Sequence, residues 1–181
     1  EYKRLKKKIG YKFIKKYHEG KIGNPKSLKY ENLNINFRDI RSVYHAWKIK
    51  NILEKRKNEK LIFLEIGAGV GLLSVKLKKI FPNAKIISID LPEVNCLQHY
   101  YHSKALSKSK IFDYQIFKKK GINDFYKNNY DFALLPAWVI GHIKNETVDM
   151  AINIHSMMEM NLETVNDYMN HINRTVKIDC F

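Results

Sequence analysis

The chain has 181 residues, 45% of them hydrophobic and 28% charged, with a net charge of +15. That is the make-up of one soluble globular domain with a real core, and it excludes fibrous and low-complexity classes. No apolar run approaches the ~20 residues that span a bilayer, and the lysine-rich start lacks the apolar centre of a signal peptide.

The charge is uneven. Residues 1–60 hold 19 Lys and Arg against 6 Asp and Glu, a net of +13, which leaves 14 against 12, or +2, for residues 61–181. Residues 1–19 read as a basic helix with apolar positions at Leu5, Ile9, Phe13, Ile14 and Tyr17. Gly20 to Pro25 breaks it as a loop. Phe37 to Arg56 reads as a second helix, and Lys55 to Lys60 as a charged turn. The expected division is a basic helical leader or lid over residues 1–58 and a ligand-binding domain over 59–181. Such a leader suits a polyanion: nucleic acid, anionic lipid head groups reached peripherally, or a phosphorylated substrate. Lysine excess over arginine, 28 to 5, also fits plain compositional drift, and arginine scarcity speaks against base-edge reading.

The segment Leu61 to Leu73 is the most informative. Four apolar residues run into Glu65, then Gly67, Gly69 and Gly71 alternate around Ala68, and an amphipathic helix pattern follows through Phe81. Strand, glycine turn and helix make a cradle for a nucleotide-like ligand. The G-x-G-x-G spacing is not that of dinucleotide binders. An acid before the first glycine favours a cationic ligand, and S-adenosylmethionine carries both an ammonium and a sulfonium. Ala84 to Asp90 reads as a second buried strand. Asp90 lies 23 residues after Gly67, near the ~20-residue spacing at which an acid holds ribose hydroxyls. An ordinary strand-to-helix turn would explain the glycines alone, but not the acids in register with them.

Asp90-Leu91-Pro92 ends that strand and starts a helix to about Ser103, with proline suited to its first turn. Ser107 to Asn129 is the least regular part of the sequence. Asp131 to Trp138 and Val148 to His155 read as third and fourth buried strands. Asn161 is a candidate N-cap for a helix over Leu162 to Arg174, and Val176 to Phe181 reads as the start of a fifth strand. The expected fold is α/β, a doubly wound, mostly parallel sheet stopping near its fifth strand. Ligands then bind beyond the carboxyl ends of the strands, where Glu65, the glycines, Asp90, Pro136 and His155 fall. Cys96 and Cys180 are too few for a disulfide framework or a cysteine metal cluster, and no H-x-E or H-E-x-x-H spacing supports a metal. A reducing cytoplasm is the default location.

On these residues the chain resembles class I S-adenosylmethionine-dependent methyltransferases. More narrowly, it resembles the bacterial sugar O-methyltransferases found with surface-polysaccharide genes. Gly23-Asn24-Pro25, Leu64 to Gly69 with Asp90-Leu91-Pro92-Glu93, Tyr100-Tyr101, and Ile152 to Met160 followed by Tyr168 carry the likeness. It implies a Rossmann-like fold with S-adenosylmethionine as cofactor, held by Glu65, Gly67, Ala68, Gly69, Gly71, Asp90, Leu91, Pro136 and Asn153. It also implies a sugar or glycan acceptor, free, phosphorylated or as a nucleotide-sugar. A class I sheet has seven strands, so the likeness makes the last part of the domain absent or supplied by a partner.

A sugar hydroxyl is a weak nucleophile, so a base is expected. His155 and Glu159, four residues apart after the fourth strand, are the candidates; either also fits a structural role. Asn153 suits positioning of backbone or cofactor. Pro136 and Trp138 fit an adenine pocket or plain packing, and Tyr100 and Tyr101 fit a sugar contact or the core. Two alternatives stand beside sugar methylation. One is an RNA or DNA methyltransferase, although Asn153-Ile154-His155-Ser156 lacks the D/N-P-P-Y/F type motif of amino-methylating enzymes. The other is a non-catalytic S-adenosylmethionine-binding fragment.

Overall fold

The structure is a computed structural model that describes residues 2–19 and 21–178. The leader begins with α1 (Tyr2–Ile9) and α2 (Tyr11–Tyr17). The single helix expected here is broken at Gly10, whose φ of 83° no helix accommodates. A small antiparallel hairpin follows, β1 (Leu28–Tyr30) with β2 (Leu33–Ile35); the sequence reading did not foresee it. Next comes α3 (Phe37–Ile52). Its N-cap, Asn36, accepts from the amides of Arg38 and Asp39. The expected helix runs on only as a 3-10 turn over Glu54–Arg56.

The main sheet holds β3 (Ile62–Ile66), β4 (Lys85–Asp90), β5 (Ile111–Asp113), β6 (Phe132–Pro136) and β7 (Met150–Asn153). Its order is β5-β6-β4-β3-β7, and every pairing is parallel. The helices are α4 (Leu72–Ile80), α5 (Pro92–Ala105), α6 (Tyr114–Lys120), α7 (Ile122–Lys127) and α8 (Leu162–Thr175). They cover both faces, so the sheet is doubly wound and Rossmann-like, as expected. The stretch from Ser107 to Asn129 is a correction: it carries β5, α6 and α7. Its short elements hide under many lysines and asparagines, but Asp113 caps α6 by accepting from the Ile116 amide. Of the fifth strand, only a parallel bridge between Val148 and Val176 falls within the described residues; Asp179 to Phe181 lie outside them.

Two cores flank the sheet. On one face Ile9, Ile14 and Tyr17 of the leader and Ile40, Val43 and Ile49 of α3 pack with Phe63, Phe81, Ile86 and Phe132. On the other, Leu64, Ile66, Ile87 and Ile89 pack with Phe125, Val139, Ile140 and Tyr168. The alternation along each strand assigns its side chains to the two faces. The leader is thus bolted to the sheet by apolar burial. A buried ion pair adds to this: Lys76 of α4, fully buried, reaches Asp39 of α3 at 2.6 Å. Asp39 also takes His18 and the Glu19 amide. Burial works to raise the Asp39 carboxyl, but these donors outweigh it and hold it below its ordinary value.

At the amino ends of the strands, Asp149 ties β3 to its surroundings. It accepts from the Ile62 amide at 2.8 Å and pairs with Arg56 at 2.7 Å and Lys177 at 2.8 Å. The carboxyl ends are thereby left for the site. Strands β4 and β6 step away from β3 on one side, while β7 returns on the other. The chain therefore reverses direction between β3 and β7, the position at which such sheets bind ligands.

Candidate functional site

A cleft of about 360 Å³ opens above that reversal. Its floor is the turn from β3 into α4: Glu65, Gly67, Ala68, Gly69, Val70, Leu72 and Leu73. Ile154 and His155, just past β7, form one side. The first turns of α3 form the opposite wall, with Phe37, Arg38, Arg41, Ser42 and His45. The sequence reading did not single out those α3 residues, because a helix bearing a strong apolar stripe looks like core whatever its polar side faces.

The glycine turn is shaped by what surrounds it. A Cβ on Gly67 would lie 1.9 Å from the Ser156 hydroxyl, so this position admits no side chain. Gly69 differs: its φ is +56° and a Cβ there would meet nothing within 4 Å, because it would project into open space. That is the geometry of a turn whose backbone is left bare for a ligand. Gly71 precedes α4 and rests on the ring of His102, with Nε2 2.7 Å from where a Cβ would stand. His102 is fully buried and stacks on Phe132 at 4.3 Å. Burial pushes its pKa down to about 4, so it is a neutral packing surface.

Two acids flank the turn. Glu65 lies beneath it, 3% exposed, and accepts from the Ser74 hydroxyl. Burial, joined by the nearby Asp90 charge, raises its pKa to about 7 against the partial relief that Ser74 offers. No cationic side chain neutralises it among the described residues, so it is a carboxylate suited to a cation from outside. Asp90 ends β4. It accepts from the Gly69 amide at 2.9 Å, the Leu91 amide at 2.8 Å and Gln98 Nε2 at 3.2 Å. Burial raises its pKa in spite of the two amide bonds. These contacts fix the carboxylate against the glycine turn and leave lone pairs for a further donor.

Asn153 and Ser156 act on the same turn from β7. Asn153 Nδ2 donates to the Ile66 carbonyl at 2.9 Å, and Ser156 Oγ to the same carbonyl at 3.2 Å. Together they pin the end of β3, which is why an Asn and a Ser three residues apart stand here. His155 adopts a left-handed conformation, φ 74°, which turns its ring to the cleft. Arg41 contacts its Nε2. A guanidinium only donates, so Nε2 is the acceptor and its lone pair is engaged. Glu159 ends a 3-10 turn over Ser156–Glu159, is exposed, and does not line the cleft. The structure therefore brings His155 to the glycine turn but leaves Glu159 outside.

Leu91 is exposed at the start of α5. Pro136 stands beside Asp90 in register on β6 and lines a second cleft of about 420 Å³. Pro92, Asn95, His99, Asp113 and Tyr114 line it too. Trp138 is exposed and donates to the Tyr114 hydroxyl at 3.3 Å. Tyr101 is buried in α5, and Tyr100 is exposed. No cluster of three or more potential metal ligands occurs among the described residues, and no described helix is long and apolar enough to cross a membrane.

No protein-family model and no curated protein matches the chain. Solved structures do. A candidate sarcosine dimethylglycine methyltransferase from Galdieria sulphuraria aligns over 83% of this chain and 49% of its own, at 14% identity and a TM-score of 0.49. A candidate S-adenosyl-L-methionine-dependent methyltransferase from Methanococcus maripaludis aligns over 82% and 64%, at 16% identity and 0.42. The mitomycin 7-O-methyltransferase MmcR aligns over 76% and 34%, at 13% identity and 0.38. The chain spans between about a third and two thirds of the lengths of these structures. At such identities chemistry has to be read from the cleft itself.

Proposed function

We propose that the chain binds S-adenosylmethionine across the carboxyl ends of β3, β4 and β6 and transfers its methyl group to a sugar hydroxyl. One observation carries the cofactor reading. A buried, unneutralised Glu65 lies under a bare glycine turn whose flank is held by the Asp90 carboxylate. The residues fit the cofactor part by part. Glu65 and the turn suit its cationic amino-acid end, Asp90 its ribose hydroxyls, and Pro136 with the second cleft its adenine. A dinucleotide would bring a pyrophosphate to an acid, which is unfavourable.

S-adenosylmethionine supplies an electrophilic methyl group on a sulfonium. The chain's part is to hold the acceptor oxygen in line with that carbon, exclude water and accept the hydroxyl proton. His155 is the titratable side chain from the β7 end that lines the cleft, and it is our candidate base. Glu159, exposed on the next turn, is a weaker candidate that the same assay tests. The leader, with α3 as its inner wall, would act as the lid over residues 1–58. We place the activity in the cytoplasm, where S-adenosylmethionine and nucleotide-sugars are made, and assign it to surface-polysaccharide synthesis on the sequence likeness.

A second reading has its own observation: Lys3, Lys7, Lys12, Lys15 and Lys16 of the leader face solvent, as a nucleic-acid methyltransferase would require. Transfer of labelled methyl groups to glucose, glucose 1-phosphate, glucuronate, UDP-glucose and RNA tests both. Sugar labelling that His155→Ala lowers ~10²–10⁴-fold, with cofactor affinity kept, is the expected result. Labelling of RNA alone would overturn the sugar reading.

A further inference from the structure

We propose that Arg38 and Arg41 form a clamp for an oxyanion on the methyl acceptor, a phosphate or carboxylate, and that filling the clamp frees His155 to act. This rests on the methyltransferase reading above and names the acceptor class for the same site.

The chain has five arginines, of which Arg4 is exposed on α1 and does not line the cleft. Arg56 is committed to Asp149 and Glu59, and Arg174 to the carbonyls of Ile140 and Ile143. Arg38 and Arg41 differ. They stand three residues apart on α3, on one side of the helix, and both line the cleft. Arg38 has no side-chain partner among the described residues. Arg41 lies over the Phe37 ring, 5.3 Å from its centroid, and spends its charge on a histidine nitrogen instead of a carboxylate. The acid between them, Asp39, points away into the core and is consumed by Lys76 and His18. Glu65 is the only acid lining the cleft among the described residues, and it sits below the glycine turn. Two guanidinium forks at the mouth of a cleft, neither paired with a carboxylate, suit a planar or tetrahedral oxyanion held in bidentate fashion. Burial lowers the pKa of His45 beside them, and Arg41 adds to that shift.

The cofactor's own carboxylate is the competing occupant. Donors for it exist on the other wall, in the first-turn amides of α4 that no helical carbonyl reaches. The arginines face them from α3 across the cleft, the side on which the proposal puts the acceptor.

The contact between Arg41 and His155 gives the clamp a consequence. While Arg41 donates to Nε2, that nitrogen cannot take a proton. An acceptor oxyanion is a stronger partner for a guanidinium than a neutral imidazole is. Its arrival draws Arg41 away, and the Nε2 lone pair becomes free to receive the proton of the acceptor hydroxyl. A neutral sugar would leave the base engaged.

Titration with inorganic phosphate tests the clamp directly, followed by the ring resonances of labelled histidine, with and without S-adenosylhomocysteine. Saturable binding that shifts the His155 ring is expected, weakened tenfold or more in Arg38→Gln and Arg41→Gln and unchanged in Lys16→Gln. With glucose 1-phosphate and glucuronate as separate acceptors, Arg38→Gln should raise KM at least tenfold. Cofactor affinity should stay within twofold, and whichever acid is preferred identifies phosphate or carboxylate as the natural anion. The proposal is overturned if phosphate does not saturate, if the arginine variants bind it as the parent does, or if the variants lose cofactor affinity instead. It is also overturned if neutral glucose is methylated as well as both acids. Phosphate binding to the cofactor-free protein is independent of S-adenosylmethionine, so failure of the cofactor reading would be recognised separately.

Discussion

Glu65 shows how one residue ties folding to binding. Its pKa of about 7 in the folded chain lies above the 4.5 of an unperturbed glutamate. The folded state therefore holds its proton over a range in which the unfolded chain has lost it. Stability linked to Glu65 is complete below about pH 4.5 and falls as pH rises to about 7. Replacing Glu65 with Gln removes that loss. Thermal unfolding should show the variant more stable than the parent by up to about 3 kcal/mol at pH 8, and level with it near pH 4. Binding of a cation should behave in the opposite sense. Affinity for S-adenosylmethionine should rise about tenfold from pH 6 to pH 8 in the parent and stay flat in Glu65→Gln. An acid next to a glycine turn was legible in the sequence. Its burial was not, because burial depends on Ser74 and on what closes over the turn.

At the scale of elements, the docking of α3 on α4 is decisive. Asp39 and Lys76 are a buried pair, and removing one partner leaves the other charge uncompensated. Asp39→Asn should cost about 3–5 kcal/mol in denaturant unfolding, and the double replacement Asp39→Leu with Lys76→Met should recover much of it. A loss in the double variant equal to the sum of the losses in Asp39→Leu and Lys76→Met alone would show that the pair is not coupled. β7 has a comparable device. Asn153→Ala removes one of the two side-chain donors to the Ile66 carbonyl, leaving Ser156, and loosens the glycine turn. We expect a cost of about 1–3 kcal/mol in stability, with weaker cofactor binding and an unchanged proton-transfer step. The strands bearing Glu65, Asp90 and Asn153 could be read from buried runs ending in polar residues. The break at Gly10, the hairpin, and β5 with α6 and α7 could not. Each is three to eight residues long, too short for periodicity to speak, and is held by its neighbours.

For the whole molecule, the proposed role of the leader is to govern what approaches the cleft. Its apolar side belongs to the main core, so removing residues 1–30 would disturb the fold as well as the acceptor. A surface test is cleaner. Changing Lys12, Lys15 and Lys16 to Gln should leave thermal stability and S-adenosylmethionine binding unaltered, since all three are exposed. If the leader serves nucleic acid, RNA affinity should be appreciable at low salt, fall steeply with rising salt, and drop in this variant. If it serves a small anionic acceptor, sugar methylation should respond to Arg38 far more than to these lysines. The expectation of a leader over the site came from charge and apolar pattern alone; of its described residues only those of α3 line the cleft, and none before Phe37 does. Which of its residues do so depended on the register of α3 against α4, which only packing sets.

The central claim is that the cleft and the strand ends beside it bind S-adenosylmethionine. Calorimetry with that ligand, with NAD as control, on the parent chain and on Asp90→Ala and Gly69→Val measures it most directly. The parent should bind one equivalent of S-adenosylmethionine and no NAD. Asp90→Ala should weaken binding by ~2–4 kcal/mol through lost hydrogen bonds to a charged group, and Gly69→Val should abolish it by filling the bare face of the turn. Affinity unchanged in both variants, or a preference for NAD, would contradict the assignment.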